Sequence, residues 1–397
     1  MKLTTKSKQL INNIKKKDLL VDKDPITKQT NNILKELYEN LHDAFKFVKS
    51  VTNNDVSLSI KNIHNFRNIP KPETFPMSSI PSSVREHIEV LSKSSFTYKI
   101  NIFERNITII FVTELTNPNM HVKMYNKYFN YLLVWLYIVN EYGSEKCASD
   151  LKIFIYHTSL LKELPTDTHI ILDETNVNTA FTRTCAVKSE IIIFRKEEWF
   201  KVFIHETMHA FGLDFSDLDQ TSCNKYILTK FKVNSEVRLY EAYTEFWSRI
   251  INTCFVSYVN STSFKTFLQT FKQLINYEVS YSCVQMIKVL KHMNLDFVSL
   301  IHSKDIQKNY KEGSSILSYY IITFLLIHSW QDTLKWCDDN NIELINFKKT
   351  AANMQSFCHY IGAIYTSPSL TDDIIFCEHK WYQNNDKSLR MTALEIV

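Results

Sequence analysis

The sequence predicts an α+β fold in which a strand-rich half with a mixed sheet precedes a mainly helical half. Strand-like runs such as FTYKINIF, ITIIFVTEL and LKIFIYH crowd into residues 96–195, whereas the chain after residue 213 has helical spacing. Only 4 glycines occur in 397 residues, which favours helices over tight hairpins. We therefore expect an N-terminal helical and linker region at 1–95, a sheet-containing region at 96–212 and a helical region at 213–397.

The N-terminal region divides into three kinds of segment. Residues 1–20 are polar and basic and are predicted to form a tail. Residues 31–50 carry apolar side chains at helical spacing and predict a helix. Residues 67–83 contain four prolines and predict an extended linker.

The elements of the second region follow from short patterns. Glu104, Arg105 and Asn106 separate two strand-like runs and predict a hairpin. An amphipathic helix is expected over 122–142, ending at Gly143. Strands are expected at 151–157 and in the runs THIILDE, NVNTAFT and EIIIF, and a helix is expected over 197–211.

Composition excludes several classes of function. The net charge is only +4, and no basic stripe indicates nucleic-acid binding. No two glycines lie close enough for a phosphate-binding loop, and no apolar run reaches the length of a bilayer span. The N-terminus lacks the apolar run of a secretory signal, and the 8 cysteines are scattered. The expectation is a cytoplasmic protein with reduced thiols, associated with the virion if the chain is viral.

One short motif carries chemistry. The predicted helix reads EEWFKVFIHETMHAFG, which places His205 and His209 four residues apart on one helical face. Two imidazoles at that spacing can bind one zinc ion (Zn2+), and Glu206 is placed to accept a proton from a water beside the metal. Gly212 stands where a glycine commonly caps a helix C-terminus. The alternative is a helix in which both histidines only pack against neighbouring side chains and bind no metal.

HETMH resembles the zinc-binding motif of the zincin metallopeptidases. The resemblance implies a zincin-like catalytic domain, in which a sheet with an antiparallel edge strand precedes the active-site helix. The segment NTAFT (178–182) is similar to the edge strand of thermolysin and neprilysin relatives. By that resemblance, Asn178 and Ala180 would bind the substrate backbone; the alternative is a plain edge strand.

A catalytic zinc needs a third protein ligand. The metzincin extension is disfavoured because Phe215 occupies the position of its last ligand. The segment LYEAYTEFW resembles the second helix of the gluzincin branch, which implies Glu241 as the ligand and Glu245 as the acid that orients a zinc-bound histidine. Glu236 is the alternative ligand, and a solvated acidic helix face is the alternative without a metal.

A group that stabilises the developing oxyanion is also expected. Tyr319 and Tyr320 are the preferred candidates, since they follow a Gly-Ser-Ser turn at the start of an apolar helix. His328 and Tyr243 are alternatives, and any of the four could simply pack the core.

The sequence therefore predicts a zinc-dependent metallopeptidase that hydrolyses peptide bonds with a metal-held water activated by Glu206. The expected partner is a peptide or protein substrate, without nucleic acid and without a membrane span. The alternatives are a catalytically inactive structural or virion-associated protein on the same scaffold, and a zinc hydrolase that acts on non-peptide amides.

Overall fold

The computed structural model describes residues 1–21, 25–52, 54–303, 306–381 and 386–396. The chain forms two compact units. The sheet unit comprises residues 39–161 and 178–213, and the helical unit comprises residues 1–38, 162–177 and 214–397.

The described strands belong to one mixed sheet of six. Their bounds are β1 Val56–Asn62, β2 Ser94–Ile102, β3 Arg105–Thr113, β4 Asp150–His157, β5 Ala180–Thr182 and β6 Lys188–Ile193. The spatial order is β1-β2-β3-β4-β6-β5. The pairs β3–β4 and β4–β6 are parallel, whereas β1–β2, β2–β3 and β5–β6 are antiparallel. The second halves of the three parallel strands are buried at every residue and are largely apolar, as expected for strands covered on both faces.

Helices make up most of the remaining described chain. Their bounds are α1 Thr5–Lys16, α2 Lys28–Ser50, α3 Ser82–Leu91, α4 Val122–Tyr142, α5 Glu174–Val177, α6 Trp199–Ala210, α7 Thr221–Lys230, α8 Leu239–Val259, α9 Phe264–His292, α10 Phe297–His302, α11 Ile306–Asn309, α12 Thr323–His328, α13 Trp330–Asn340, α14 Ala351–Ile364 and α15 Pro368–Trp381. A π-helical turn, Leu317–Ile322, leads directly into α12. No helix among the described residues combines the length and the apolar character that a bilayer crossing requires.

The predicted mixed α/β composition is confirmed, and several elements match closely. The helix predicted over 122–142 is α4, with Gly143 as its C-cap. The predicted hairpin joins β2 to β3 through Phe103 and Glu104, both at positive φ (55° and 56°). Two such residues form a turn whose twist suits a hairpin, here without glycine.

Two expectations about secondary structure were wrong, and two elements were not predicted. Residues 1–20 are not a tail, because α1 buries Leu10, Ile11 and Ile14. The predicted linker at 67–83 is mostly irregular and ends where α3 begins, and neither α3 nor β1 was predicted. THIILDE (168–174) forms no strand, because Asp167 accepts backbone N–H bonds from His169 and Ile170 and turns the chain there.

The helical unit is held together by a buried ion pair. Arg249 of α8 donates to Glu278 of α9 at 2.9 Å, and both side chains are essentially inaccessible to solvent. The other carboxylate oxygen of Glu278 accepts hydrogen bonds from the Thr392 hydroxyl and from the backbone N–H groups of Ala393 and Leu394. The segment near the C-terminus is therefore part of the core of this unit.

Candidate metal centre

Helix α6 carries the predicted metal-binding motif and is buried along its whole length. The indole of Trp135 in α4 donates to the Thr207 hydroxyl at 2.5 Å, and that hydroxyl in turn donates to the Phe203 carbonyl. Thr207 lies between the two histidines in sequence and points to a different face of the helix. This contact therefore fixes the rotation of α6 about its axis, and with it the direction of His205 and His209.

The C-terminal end of α6 closes as a Schellman motif. Gly212 has φ +71° and donates its N–H to the His209 carbonyl at 3.0 Å, and Leu213 donates to the Met208 carbonyl at 2.9 Å. A side chain in this left-handed conformation would be strained. The prediction that Gly212 ends the helix is confirmed.

A disulfide reinforces the same end of the helix. Cys185 donates its backbone N–H to the His209 carbonyl at 3.1 Å and is bonded to Cys147. A Cβ atom at Gly212 would lie 3.3 Å from the Cys147 sulfur and 3.3 Å from the Cys185 Cβ. The expectation of reduced thiols was wrong for these two residues, and for Cys223 and Cys358, which form a second disulfide.

The structure brings three of the predicted ligands together. His205, His209 and Glu241 each offer one ligand atom, and these atoms all lie within 4.8 Å of one another. The two histidine Nε2 atoms are 3.2 Å apart, and the ring planes meet at 74°. Both histidines are buried, and Glu241 in α8 is partly exposed. This group could hold a metal ion.

The chemistry of the donor set fits such an ion. For metal–nitrogen bonds of about 2.05 Å at a tetrahedral angle, two imidazole nitrogens bound to one ion lie about 3.3 Å apart. The observed 3.2 Å matches that separation. Two imidazoles and one carboxylate also leave a tetrahedral ion with one open position, as in catalytic sites rather than structural ones.

The predicted proton acceptor and the predicted orienting acid are both buried. Glu206 follows His205 in α6 and is 7% exposed. Glu245 lies one turn after Glu241 in α8 and is 1% exposed. A buried carboxylate requires hydrogen-bonding or charged partners. The roles assigned to these two residues stay predictions.

The remaining candidates lie in other environments. Glu236 is outside the three-residue group and bonds to Arg238 at 2.8 Å, on an exposed surface. The Tyr320 hydroxyl donates to the Leu389 carbonyl at 2.7 Å and is buried. Tyr319 is half-buried in the same π-helical turn. The two alternatives also have partners: Tyr243 donates to the Ile345 carbonyl at 3.1 Å, and His328 bonds to Asp373 at 2.8 Å.

The predicted substrate-binding segment lies at one edge of the sheet. Ala180 begins β5, which pairs antiparallel with β6 and is the last strand in the spatial order. Asn178 precedes it and is half-buried, and the intervening Thr179 carbonyl accepts from Phe194 N–H at 2.9 Å. The edge strand expected from the sequence is therefore present, in a shorter form than the run NVNTAFT.

The sequence analysis did not identify the contacts that support α6, or a tyrosine beside the predicted third ligand. Cys147 and Cys185 are 38 residues apart and form no recognisable motif, so only the folded chain pairs them. Tyr240 immediately precedes Glu241, and burial, followed by the charge of Glu241, raises the pKa of Tyr240 to about 12. Its adjacency to the proposed ligand was the one available signal.

Comparison with known proteins gave no match: no protein-family description, no curated protein and no solved structure matches this chain. The function is therefore argued from the residues themselves.

Proposed function

We propose that this chain is a zinc-dependent metallopeptidase. The observation that supports the proposal most directly is the group of two imidazole nitrogens and one carboxylate oxygen within 4.8 Å of one another. Peptide hydrolysis needs an electrophile for the scissile carbonyl, an activated water and a proton donor for the leaving amine. Bound zinc would polarise the carbonyl and make a water more acidic.

The other steps belong to side chains of this chain. Glu206 accepts the proton of the attacking water and passes it to the leaving amine. His205 and His209 hold their positions because α6 is fixed by Trp135 and by the Cys185 N–H bond. Glu245 orients a ligand imidazole through a hydrogen bond, which fixes its tautomer.

Substrate binding is assigned to the edge of the sheet. An extended peptide adds to an open strand edge through main-chain hydrogen bonds, and β5 offers such an edge. Asn178 and Ala180 are proposed to contact the substrate backbone there. Tyr319 or Tyr320 is proposed as the oxyanion stabiliser, and the Tyr320 hydroxyl would have to exchange its bond to the Leu389 carbonyl for the substrate.

Metal analysis of the purified full-length protein tests the ligand set. We expect one zinc per chain, with loss of zinc in His205→Ala and in Glu241→Gln. Glu236→Gln is the matched control, because Glu236 lies close in sequence and outside the group. If Glu241→Gln retains zinc and Glu236→Gln loses it, then Glu236 is the third ligand and the assignment of Glu241 is wrong.

A peptide-library digest tests the activity. Glu206→Gln is expected to keep its zinc and to lose turnover, because the amide cannot accept the proton. Wild-type protein that binds zinc and cleaves no peptide would instead indicate an inactive scaffold. Hydrolysis of small amides, with no hydrolysis of peptides, would indicate a zinc hydrolase that acts on non-peptide amides.

A further inference from the structure

The edge of the sheet that β1 forms is open. Strand β1 is first in the spatial order, so β2 is its only partner among the described strands. It is seven residues long, none of them is buried, and it contains no proline. Its one charged residue, Lys61, lies next to its end rather than at its centre. An edge strand of this kind presents backbone N–H and C=O groups with which another chain can pair.

The two faces of β1 differ in character. Val56, Leu58 and Ile60 alternate along one face, whereas the other face carries serines and a lysine. Leu58 lies opposite Tyr98 of β2, whose ring stacks on Phe129 of α4 at 4.5 Å. The apolar face of β1 therefore lies on the side of the sheet that α4 covers. Leu58 is nevertheless 37% exposed, so the cover is incomplete at this edge.

Another exposed apolar side chain lies beside this edge. The 3-10 turn Pro118–His121 leads into α4 and packs against β1. Within that turn, Met120 is 80% exposed. Exposed apolar groups next to an open strand edge indicate a surface at which a protein partner can bind.

The sequence of β1 is complementary to itself in one antiparallel register. A two-fold axis makes the two strands identical, so residues that face each other must both be odd-numbered or both even-numbered. In the register centred on Leu58, this residue faces its own copy, and Val56 faces Ile60 of the second copy. Moving the centre by one residue in either direction leaves an apolar side chain opposite an asparagine. The register centred on Leu58 is therefore favoured.

The same register brings opposite charges together. Asp55 immediately precedes β1 and would face Lys61 of the second copy, at two positions related by symmetry. One carboxylate oxygen of Asp55 accepts from the hydroxyl and the N–H of Thr52 at 2.7 and 2.8 Å, and these bonds lower the pKa of Asp55. The carboxylate is thus negative at neutral pH, and Lys61 is exposed and positive. Opposite charges that face each other across an antiparallel pair stabilise the pairing.

We propose that β1 pairs antiparallel with β1 of a second copy of this chain, around a two-fold axis at Leu58, so that one continuous sheet crosses the dimer. The edge strand β5 lies at the other end of the spatial order and stays open for the proposed substrate. The inference does not depend on the peptidase assignment.

Sedimentation velocity of the full-length protein at low ionic strength tests the charge pairing. We expect the wild type to dimerise. Lys61→Asp alone and Asp55→Lys alone are each expected to weaken the dimer roughly tenfold or more, because each places like charges opposite each other at both symmetric positions. An equimolar mixture of the two variants is expected to associate again, since each carries the charge that complements the other.

The matched control for the charge change is Lys265→Asp. It makes the same substitution at an exposed position in the first turn of α9, in the helical unit, and its association is expected to match that of the wild type. Circular dichroism spectra check that each variant is folded.

Disulfide cross-linking tests the register independently. Residue 58 would face its own copy, and Cα atoms directly opposite in an antiparallel pair are about 4.5–5.5 Å apart, so Leu58→Cys is expected to link two chains on mild oxidation. Ser57→Cys is the control, because its two copies would be too far apart for a disulfide. The wild type is expected to stay unlinked, since its free cysteines among the described residues are buried.

Three results would overturn the proposal. The first is a wild type that remains monomeric at its highest soluble concentration. The second is association of both charge variants like the wild type, or a mixture of them that associates no better than either alone. The third is cross-linking of Ser57→Cys as efficient as that of Leu58→Cys.

Discussion

The disulfide beside α6 allows a prediction with a worked magnitude. Cys147 and Cys185 are 38 residues apart in sequence. In the loop-entropy treatment, closing a loop of that length removes about 13 cal/mol/K from the unfolded chain, or about 3.9 kcal/mol at 25 °C. We therefore expect Cys147→Ala with Cys185→Ala to lower the free energy of unfolding by roughly 4 kcal/mol. Urea denaturation followed by circular dichroism measures it.

The same substitution should also affect the metal. The disulfide positions the Cys185 N–H that binds the His209 carbonyl, so its loss loosens the end of α6 and is expected to weaken zinc binding. The control is the pair Cys223→Ala with Cys358→Ala. That loop spans 135 residues, and its removal should cost about 5 kcal/mol of stability without changing zinc affinity.

Competition with a chromophoric chelator measures zinc affinity in both double variants. Alkylation of the unreduced, denatured protein provides the prior check, because the structure contains two disulfides. Eight alkylated cysteines, equal losses of zinc affinity in the two double variants, or an unchanged free energy of unfolding would refute the reasoning.

Two other predictions concern buried charge. Glu278→Gln leaves the buried Arg249 without its counter-ion and is expected to lower the free energy of unfolding by roughly 3–5 kcal/mol in urea denaturation. Adding Arg249→Met to Glu278→Gln should recover part of that loss, because it removes the unpaired charge while the amide oxygen at position 278 still accepts from the N–H groups of Ala393 and Leu394. A cost of Glu278→Gln below about 1 kcal/mol would contradict the assignment. Burial, with a smaller contribution from Lys196, lowers the pKa of His157 from 6.5 to about 3. Between pH 6.5 and about 3, the unfolded chain therefore binds a proton that the folded chain does not. The free energy of unfolding decreases as the pH is lowered through this range, by up to roughly 1.4 kcal/mol per pH unit. The difference in unfolding free energy between wild type and His157→Gln, followed over that range, should show this slope, and parallel curves would exclude it.

The parts of the fold that could be predicted from the sequence have local causes. Helix α4 has an uninterrupted helical pattern that stops at Gly143, and its bounds were predicted residue for residue. The parallel strands β3, β4 and β6 are apolar runs of strand length, which few other structures accommodate. His205 and His209 are one helical turn apart in any helix, so their proximity needed no tertiary information.

The parts that could not be predicted depend on distant partners. The prediction of a tail at residues 1–20 was wrong because the apolar face of α1 is short and is buried only by distant parts of the chain. The bridge between Leu3 and Ile396 shows how far apart in sequence these partners are. The bond from the Tyr320 hydroxyl to the Leu389 carbonyl could not be predicted, because the two residues are 69 positions apart in sequence. Glu241 was selected over Glu236 by resemblance, and the grouping of the former with the two histidines favours the same choice.

The discontinuous helical unit has a consequence for biosynthesis. All residues of the sheet unit have been translated once the ribosome has passed Leu213, whereas Glu278 obtains its backbone donors only when Ala393 and Leu394 have been made. Glu278 and Leu394 are 116 residues apart, so this carboxylate obtains its backbone donors roughly 6–23 s after its own synthesis at ordinary elongation rates. The pairing of α8 with α9 must persist over that interval without the segment that completes the core, and this is when chaperones would matter most to this chain.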